Sequence, residues 1–289
     1  MIDLPESAAP ESRHRAQIAA ALAVACPAQI GGIACEEIAL TGSTARGLAD
    51  AESDLEINFW SDAIPSGEAR AAWLRDAGAA DVRVIEAPRP DDSYWVSGAI
   101  DGVPVEIGWQ TFAALDAQIA ALLSGDVTDR KALALGEVIA SARPLRTNGW
   151  FLQRQESLRA YPDRLQAALI AEAAVRWTPA HFAQEARLAR RGELLALYEL
   201  MIGDFDAMLR LLYAVNRRWE PSRKWTLSAA RDLALGPADL EARLHALFAE
   251  PPADAVCTAG HLIDQALALV PAGVADAAVR AARGALLDL

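Results

Sequence analysis

Thr41-Gly42-Ser43-Thr44-Ala45-Arg46-Gly47, followed by Ser53-Asp54-Leu55-Glu56-Ile57, is the stretch that decides the fold. The segment Ile33 to Leu40 before it reads as an apolar strand, which the glycine–serine turn ends. Gly42 has no Cβ, so backbone N–H groups at the turn can approach an anion closely. Ser43 can add a hydroxyl hydrogen bond to that anion. Arg46 can offer a planar fork to a phosphate oxygen or brace the loop against a carboxylate. Asp54 and Glu56 are two residues apart, so on a strand they share a face, about 7 Å apart at Cα, while Leu55 and Ile57 turn to the core. Hard oxygen donors beside bound phosphates suit Mg²⁺ or Mn²⁺.

A third carboxylate would complete such a site, and Glu106 is the candidate. In Val103-Pro104-Val105-Glu106-Ile107-Gly108-Trp109 the apolar residues fall on one face. Glu106 stands on the other, between Pro104 and Gly108, where a ligand has room. Paired ions about 3.5–4 Å apart would clamp the attacking and leaving oxygens of an in-line displacement.

Around this nucleus the chain predicts a helix over 12–26, a strand over 55–60 and a helix over 66–77 capped by Ser66. Strands follow over 82–85, 94–100 and 103–109. Asp101-Gly102 between the last two predicts a type I′ hairpin. From Phe112 onward strand signals vanish and helical periodicity runs to the end, interrupted by glycine and proline. The expected fold is α+β: an N-terminal mixed sheet with flanking helices over 1–145, then a helical bundle over 146–289.

The chain has 289 residues, 53% of them hydrophobic, enough for a large core. Its net charge of −12 argues against a long nucleic-acid substrate, which calls for a basic stripe. It is compatible with a cationic small substrate. The three cysteines, Cys26, Cys35 and Cys257, form no CxxC pair, which fits a reducing cytoplasm. No signal-peptide core and no membrane-spanning run is present, so a soluble cytoplasmic protein is expected.

Gly42-Ser43, Asp54-Leu55-Glu56 and Glu106 resemble the signature of the nucleotidyltransferase superfamily that includes DNA polymerase β. That signature is a Gly-Ser turn, an acidic–apolar–acidic strand and an acidic residue on a later strand. The fuller Gly-Ser-Thr-Ala-Arg-Gly is similar to the loop of lincosamide and kanamycin nucleotidyltransferases and of bacterial relatives with unassigned substrates. The resemblance covers about residues 12 to 145. It implies magnesium-dependent transfer of a nucleoside monophosphate, AMP from ATP, to a hydroxyl of a small molecule, an antibiotic included, with release of pyrophosphate. Asp54, Glu56 and Glu106 would hold metal, Glu106 serving either as ligand or as general base, and Gly42, Ser43 and Arg46 would seat the phosphates. Two alternatives stay open: nucleotidylation of a protein or tRNA, and a non-catalytic nucleotide-binding module.

In the helical half, the segment from Tyr213 to Trp225 resembles a motif of uncharacterised members. Asn216, Arg217 and Lys224 are its candidates for reaching the triphosphate or the departing pyrophosphate. The four histidines, His14, His181, His245 and His261, share no ligand spacing and read as surface or packing residues. Gly203-Asp204-Phe205-Asp206 reads as helix surface or acceptor-site lining rather than metal. Most of the tryptophans read as core, with Trp95 or Trp109 candidates for an acceptor cleft or a base stack. Apolar helix faces in the second half leave a homo-oligomer open.

Overall fold

The computed structural model of the chain describes residues 2–85, 88–89 and 92–287. By contacts the chain divides into two units, Met1–Ala121 with Val138–Ala160, and Leu122–Glu137 with Tyr161–Leu289. The division falls inside two helices, and residue 145, where the sequence suggests a boundary, lies in the first unit.

The elements of the first half are α1 (Pro10–Ala25), β1 (Gln29–Ile30), β2 (Ile33–Ala34), β3 (Glu37–Leu40), α2 (Gly42–Arg46) and β4 (Leu55–Ser61). They continue with α3 (Gly67–Asp76), β5 (Ala80–Ile85), β6 (Tyr94–Ile100), β7 (Val103–Thr111), α4 (Phe112–Ser124), α5 (Arg130–Ser141), β8 (Arg143–Arg146) and α6 (Trp150–Ser157). Among the described residues, six strands form one mixed sheet in the order β5-β6-β7-β4-β3-β8, in which only the central β4–β7 pair is parallel.

The alternation read from β4 and β7 is realised. Leu55, Ile57, Phe59, Val105, Ile107 and Trp109 are all buried on one face, in one cluster with α1 and α3. Burying side chains of this size contributes roughly 1.5–3 kcal/mol each. Phe59 stacks on Trp109 at 4.9 Å between ring centres, and Trp73 of α3 meets both edge-on at 5.3 and 5.8 Å. Trp109 is therefore a core residue. The opposite face of β4 and β7 carries Glu56, Asn58, Glu106 and Gly108.

Ser66 caps α3 by accepting from the Ala69 N–H, as its position predicts. Asp101 and Gly102 take φ of 50° and 78°, the positive pair a type I′ hairpin requires.

Three local expectations change. The strand expected over Ile33 to Leu40 is broken: Ile33–Ala34 turns back on Gln29–Ile30 across Gly31-Gly32, and only Glu37–Leu40 enters the main sheet. Thr41 to Gly47 is not an open turn, because Gly42–Arg46 coil into the short helix α2. A strand, β8, lies beyond Phe112 and pairs with β3. Its Pro144 removes a ladder donor, which an edge strand tolerates.

The second unit is helical. Its elements after α6 are α7 (Asp163–Ala174), α8 (Pro179–Arg191), α9 (Leu194–Val215), α10 (Thr226–Ala229), α11 (Leu240–Leu247), α12 (Pro252–Ala268) and α13 (Asp276–Leu286), with single 3₁₀ turns over Arg223–Trp225 and Ala230–Asp232. The long helix α9 buries Leu197, Met201, Met208, Leu211 and Leu212 completely. Beyond its end Glu220, 1% exposed, pairs with Arg130 at 3.2 Å and Arg210 at 3.1 Å.

Candidate active site

The sheet register makes the site. β4 and β7 run parallel and in step, so Glu56 lies directly opposite Glu106. Asp54, one residue before β4, joins them. Each carboxylate offers an oxygen, and these oxygens all lie within 4.8 Å of one another, with all three residues half-buried. Like charges placed directly opposite on neighbouring strands repel by up to about 1 kcal/mol. A gap ringed by three carboxylates, half open to water, therefore suits a hard divalent cation.

Asp54 is held by its approach loop. Arg15 of α1 is only 4% exposed, and its Nε and Nη2 donate to the Ser53 carbonyl at 3.0 and 2.7 Å. Ser12 of α1 accepts from the Ala49 N–H at 2.9 Å. Asp50 accepts from the Ser53 hydroxyl at 2.7 Å, and that hydroxyl accepts from the Asp50 N–H at 3.0 Å. The loop before Asp54 is thus tied to α1 and to itself.

Gly42 sits against Glu56. A Cβ built on Gly42 would lie 1.6 Å from Glu56 Oε2, and its φ of +67° is in the left-handed region. The bend is more enclosed than a solvent-facing anion seat: Gly42 is buried, Ser43 is 5% exposed and Thr44 is fully buried. Arg46 is half-buried at the end of α2. Thr41 completes this corner. Its N–H donates to the Glu56 carbonyl at 3.0 Å, and its hydroxyl accepts from Asn58 Nδ2 at 2.7 Å.

Two further side chains stand beside the carboxylates. Arg89 Nη2 donates to Glu106 Oε2 at 3.2 Å, and its guanidinium carbon lies 3.9 Å over the Trp95 ring. Trp95 pairs across the ladder with Gly108, whose missing side chain leaves room for the indole: a Cβ there would meet Trp95 Cζ2 at 2.9 Å. Arg89, Thr41 and Asn58 were not legible as site residues. The charged residue between Pro88 and Pro90 was the one signal available for Arg89.

The candidates of the helical half are held within the second unit. Asn216 Nδ2 donates to the carbonyls of Leu212 and Leu235 at 2.8 and 2.7 Å, and its Oδ1 accepts from the Leu235 N–H at 2.8 Å. Arg217, at φ 53°, donates to Asp163 at 2.7 Å, to Gln166 at 3.2 Å and to the Tyr161 carbonyl. Both side chains brace the end of α9, which accounts for their polarity without a phosphate. Lys224 is exposed.

Residues 134–226 match a family described as a domain of unknown function, DUF4037. No curated protein matches the sequence. Among solved structures, the chain is similar to a nucleotidyltransferase-like protein from Exiguobacterium sibiricum 255-15. The identity is 11% and the TM-score 0.41, over 96% of this chain and 79% of that one. Among the described residues no helix is long and apolar enough to cross a membrane.

Proposed function

We propose that the first unit catalyses divalent-metal-dependent transfer of a nucleoside monophosphate, AMP from ATP, to a hydroxyl of a small molecule. The observation that carries this reading is the convergence of Asp54, Glu56 and Glu106 within 4.8 Å on one half-exposed sheet face. Asp54 and Glu56 hold the metal, and Glu106 completes the set or takes the proton of the attacking hydroxyl. When bound, the cation offsets charge on the phosphates of the nucleotide. The acceptor oxygen bonds to the α-phosphorus, the bond to the bridging oxygen breaks, and pyrophosphate leaves.

The chain's own residues set the geometry. Gly42 gives Glu56 its place, and Arg15 fixes the carbonyl just before Asp54. Ser43 and Arg46, next to that glycine, are the groups proposed for the phosphates. Ser43 is 5% exposed, so seating a triphosphate there would require the Gly42–Arg46 turn to open. Trp95 is 7% exposed and lies under Arg89, so a base or an acceptor ring would reach its face only where Arg89 turns aside. The net charge of −12 is compatible with a cationic acceptor of the aminoglycoside or lincosamide kind.

The test is incubation with Mg²⁺ and ATP labelled at the α-phosphate, against a panel of hydroxylated small molecules and against cell lysate. Label on a small molecule, with pyrophosphate release that falls at least about a hundredfold in Asp54→Asn and Glu56→Gln, is the expected result. Near-normal release in either variant overturns the mechanism. Label on a macromolecular band assigns the acceptor to protein or tRNA instead. Binding of Mg-ATP with no transfer to any acceptor assigns a non-catalytic nucleotide-binding role.

A further inference from the structure

In the second unit, His181 and Glu185 lie one turn apart on α8, and Asp204 faces them from α9. Glu185 and Asp204 are each 1% exposed at the side chain, and His181 is 13% exposed. His181 Nε2 is 2.9 Å from Asp204 Oδ2 and 3.8 Å from Glu185 Oε1. The donor atoms of the three residues all fall within 4.8 Å of one another. Glu185 Oε1 is buried and receives no hydrogen bond among the described residues. Two buried carboxyl groups therefore face one another.

We propose that His181, Glu185 and Asp204 form a site for one divalent transition cation of the Zn²⁺ type, joining α8 to α9. Bonds of about 2.0–2.2 Å at tetrahedral angles place donor atoms about 3.3–3.5 Å apart. The observed separations from His181 Nε2, 2.9 and 3.8 Å, straddle that value, and all three donors fall within 4.8 Å of one another, so the two carboxylates draw together as the ion seats. One imidazole with two carboxylates is a borderline donor set, which favours Zn²⁺ or Co²⁺ over Mg²⁺.

The surroundings match what a ligating carboxylate needs behind it. Asp204 Oδ1 accepts from Arg176 Nε at 2.6 Å and from Trp177 Nε1 at 3.1 Å, which fixes the group and leaves Oδ2 facing His181. Arg176 reaches that position because Gly203 has no side chain: a Cβ there would lie 2.4 Å from Arg176 Nη2. His181 is placed in turn by Thr178, whose hydroxyl accepts from its backbone N–H at 3.2 Å. Such outer partners orient ligands and raise affinity about ten- to a hundredfold.

The experiment uses full-length protein carrying Asp54→Asn, Glu56→Gln and Glu106→Gln, so that the carboxylates of the first unit cannot supply the signal. After chelation, Zn²⁺ alone is added and retention is measured by elemental analysis, with Co²⁺ absorption as a second readout. The expected result is one equivalent of Zn²⁺, a rise in melting temperature, and visible Co²⁺ bands of low-symmetry coordination. Either His181→Gln or Glu185→Gln weakens retention at least about tenfold. Glu185→Gln preserves shape, so it gives the answer if the histidine variant fails to fold. No retained Zn²⁺, or retention unchanged in Glu185→Gln, overturns the site and assigns the gap to a proton shared by the two carboxyl groups.

Discussion

Glu56 and Glu106 face one another directly across the parallel β4–β7 ladder, and Asp54 brings a third carboxylate to the same gap. Arg89 offsets part of that charge at Glu106, and a cation in the gap would offset more. Adding Mg²⁺ or Mn²⁺ to the metal-free protein raises its melting temperature. A ligand at a hundred times its dissociation constant stabilises by about 2.7 kcal/mol. The rise shrinks or vanishes in Asp54→Asn and Glu106→Gln when melting is followed by calorimetry with and without metal. An equal rise in the variants places the cation elsewhere.

Gly42→Ala removes function by displacing Glu56. The new methyl would sit 1.6 Å from Glu56 Oε2, and the backbone at φ +67° disfavours any side chain by about 1–2 kcal/mol. Gly102→Ala is the matched control, since its φ of +78° carries the same backbone penalty with nothing within 4 Å of the new methyl. Both variants lose comparable stability by thermal melting. Only Gly42→Ala also loses Mg²⁺ stabilisation and pyrophosphate release, and equal loss in both would assign the effect to backbone strain.

Arg15 acts on the site through Ser53. It is nearly fully buried, and two of its nitrogens converge on one carbonyl beside Asp54. A hydrogen bond from a charged group is worth about 1.5–3 kcal/mol, and Arg15→Ala also leaves that buried carbonyl without its donors. Arg15→Lys keeps the charge but loses the fork. Both variants are expected to weaken metal binding and lower kcat, with alanine also lowering the melting temperature by several degrees. Wild-type metal affinity in Arg15→Lys shows that the fork is not needed.

What the sequence disclosed and what it withheld divide along physical lines. The alternation of Leu55, Ile57, Val105 and Ile107 was legible because period-two patterning is local, and it placed Glu56 and Glu106 on one face. Asp101-Gly102 and Ser66 were legible because turn and cap chemistry is local too. β8 was missed because Pro144 argues against a strand unless the strand is known to lie at an edge. The α2 helix hid behind its glycines, and the split after Ala34 depends on pairing across Gly31-Gly32. Asn216 and Arg217 suggested phosphate contacts because polarity is visible in a sequence and its partner is not. Those partners, Leu235 and Asp163, lie distant in the chain. The same distance concealed the facing of His181 and Glu185 toward Asp204.

Arg89 competes with the cation for Glu106. Its guanidinium holds Glu106 Oε2 while lying on Trp95, with side chains 38% and 31% exposed in the ion pair. A pair this open to solvent is worth about 0–1 kcal/mol, so its removal shifts metal affinity by at most about fivefold. Arg89→Ala therefore binds Mg²⁺ or Mn²⁺ slightly more tightly, since Glu106 no longer exchanges one positive partner for another. The same variant raises the KM for nucleotide if the released guanidinium turns to the phosphates once the metal has taken Glu106. Titration of Mn²⁺ by electron paramagnetic resonance, together with KM and kcat for ATP, separates the two effects. Weaker Mn²⁺ binding in Arg89→Ala would mean that Arg89 holds Glu106 in position for the ion rather than competing with it.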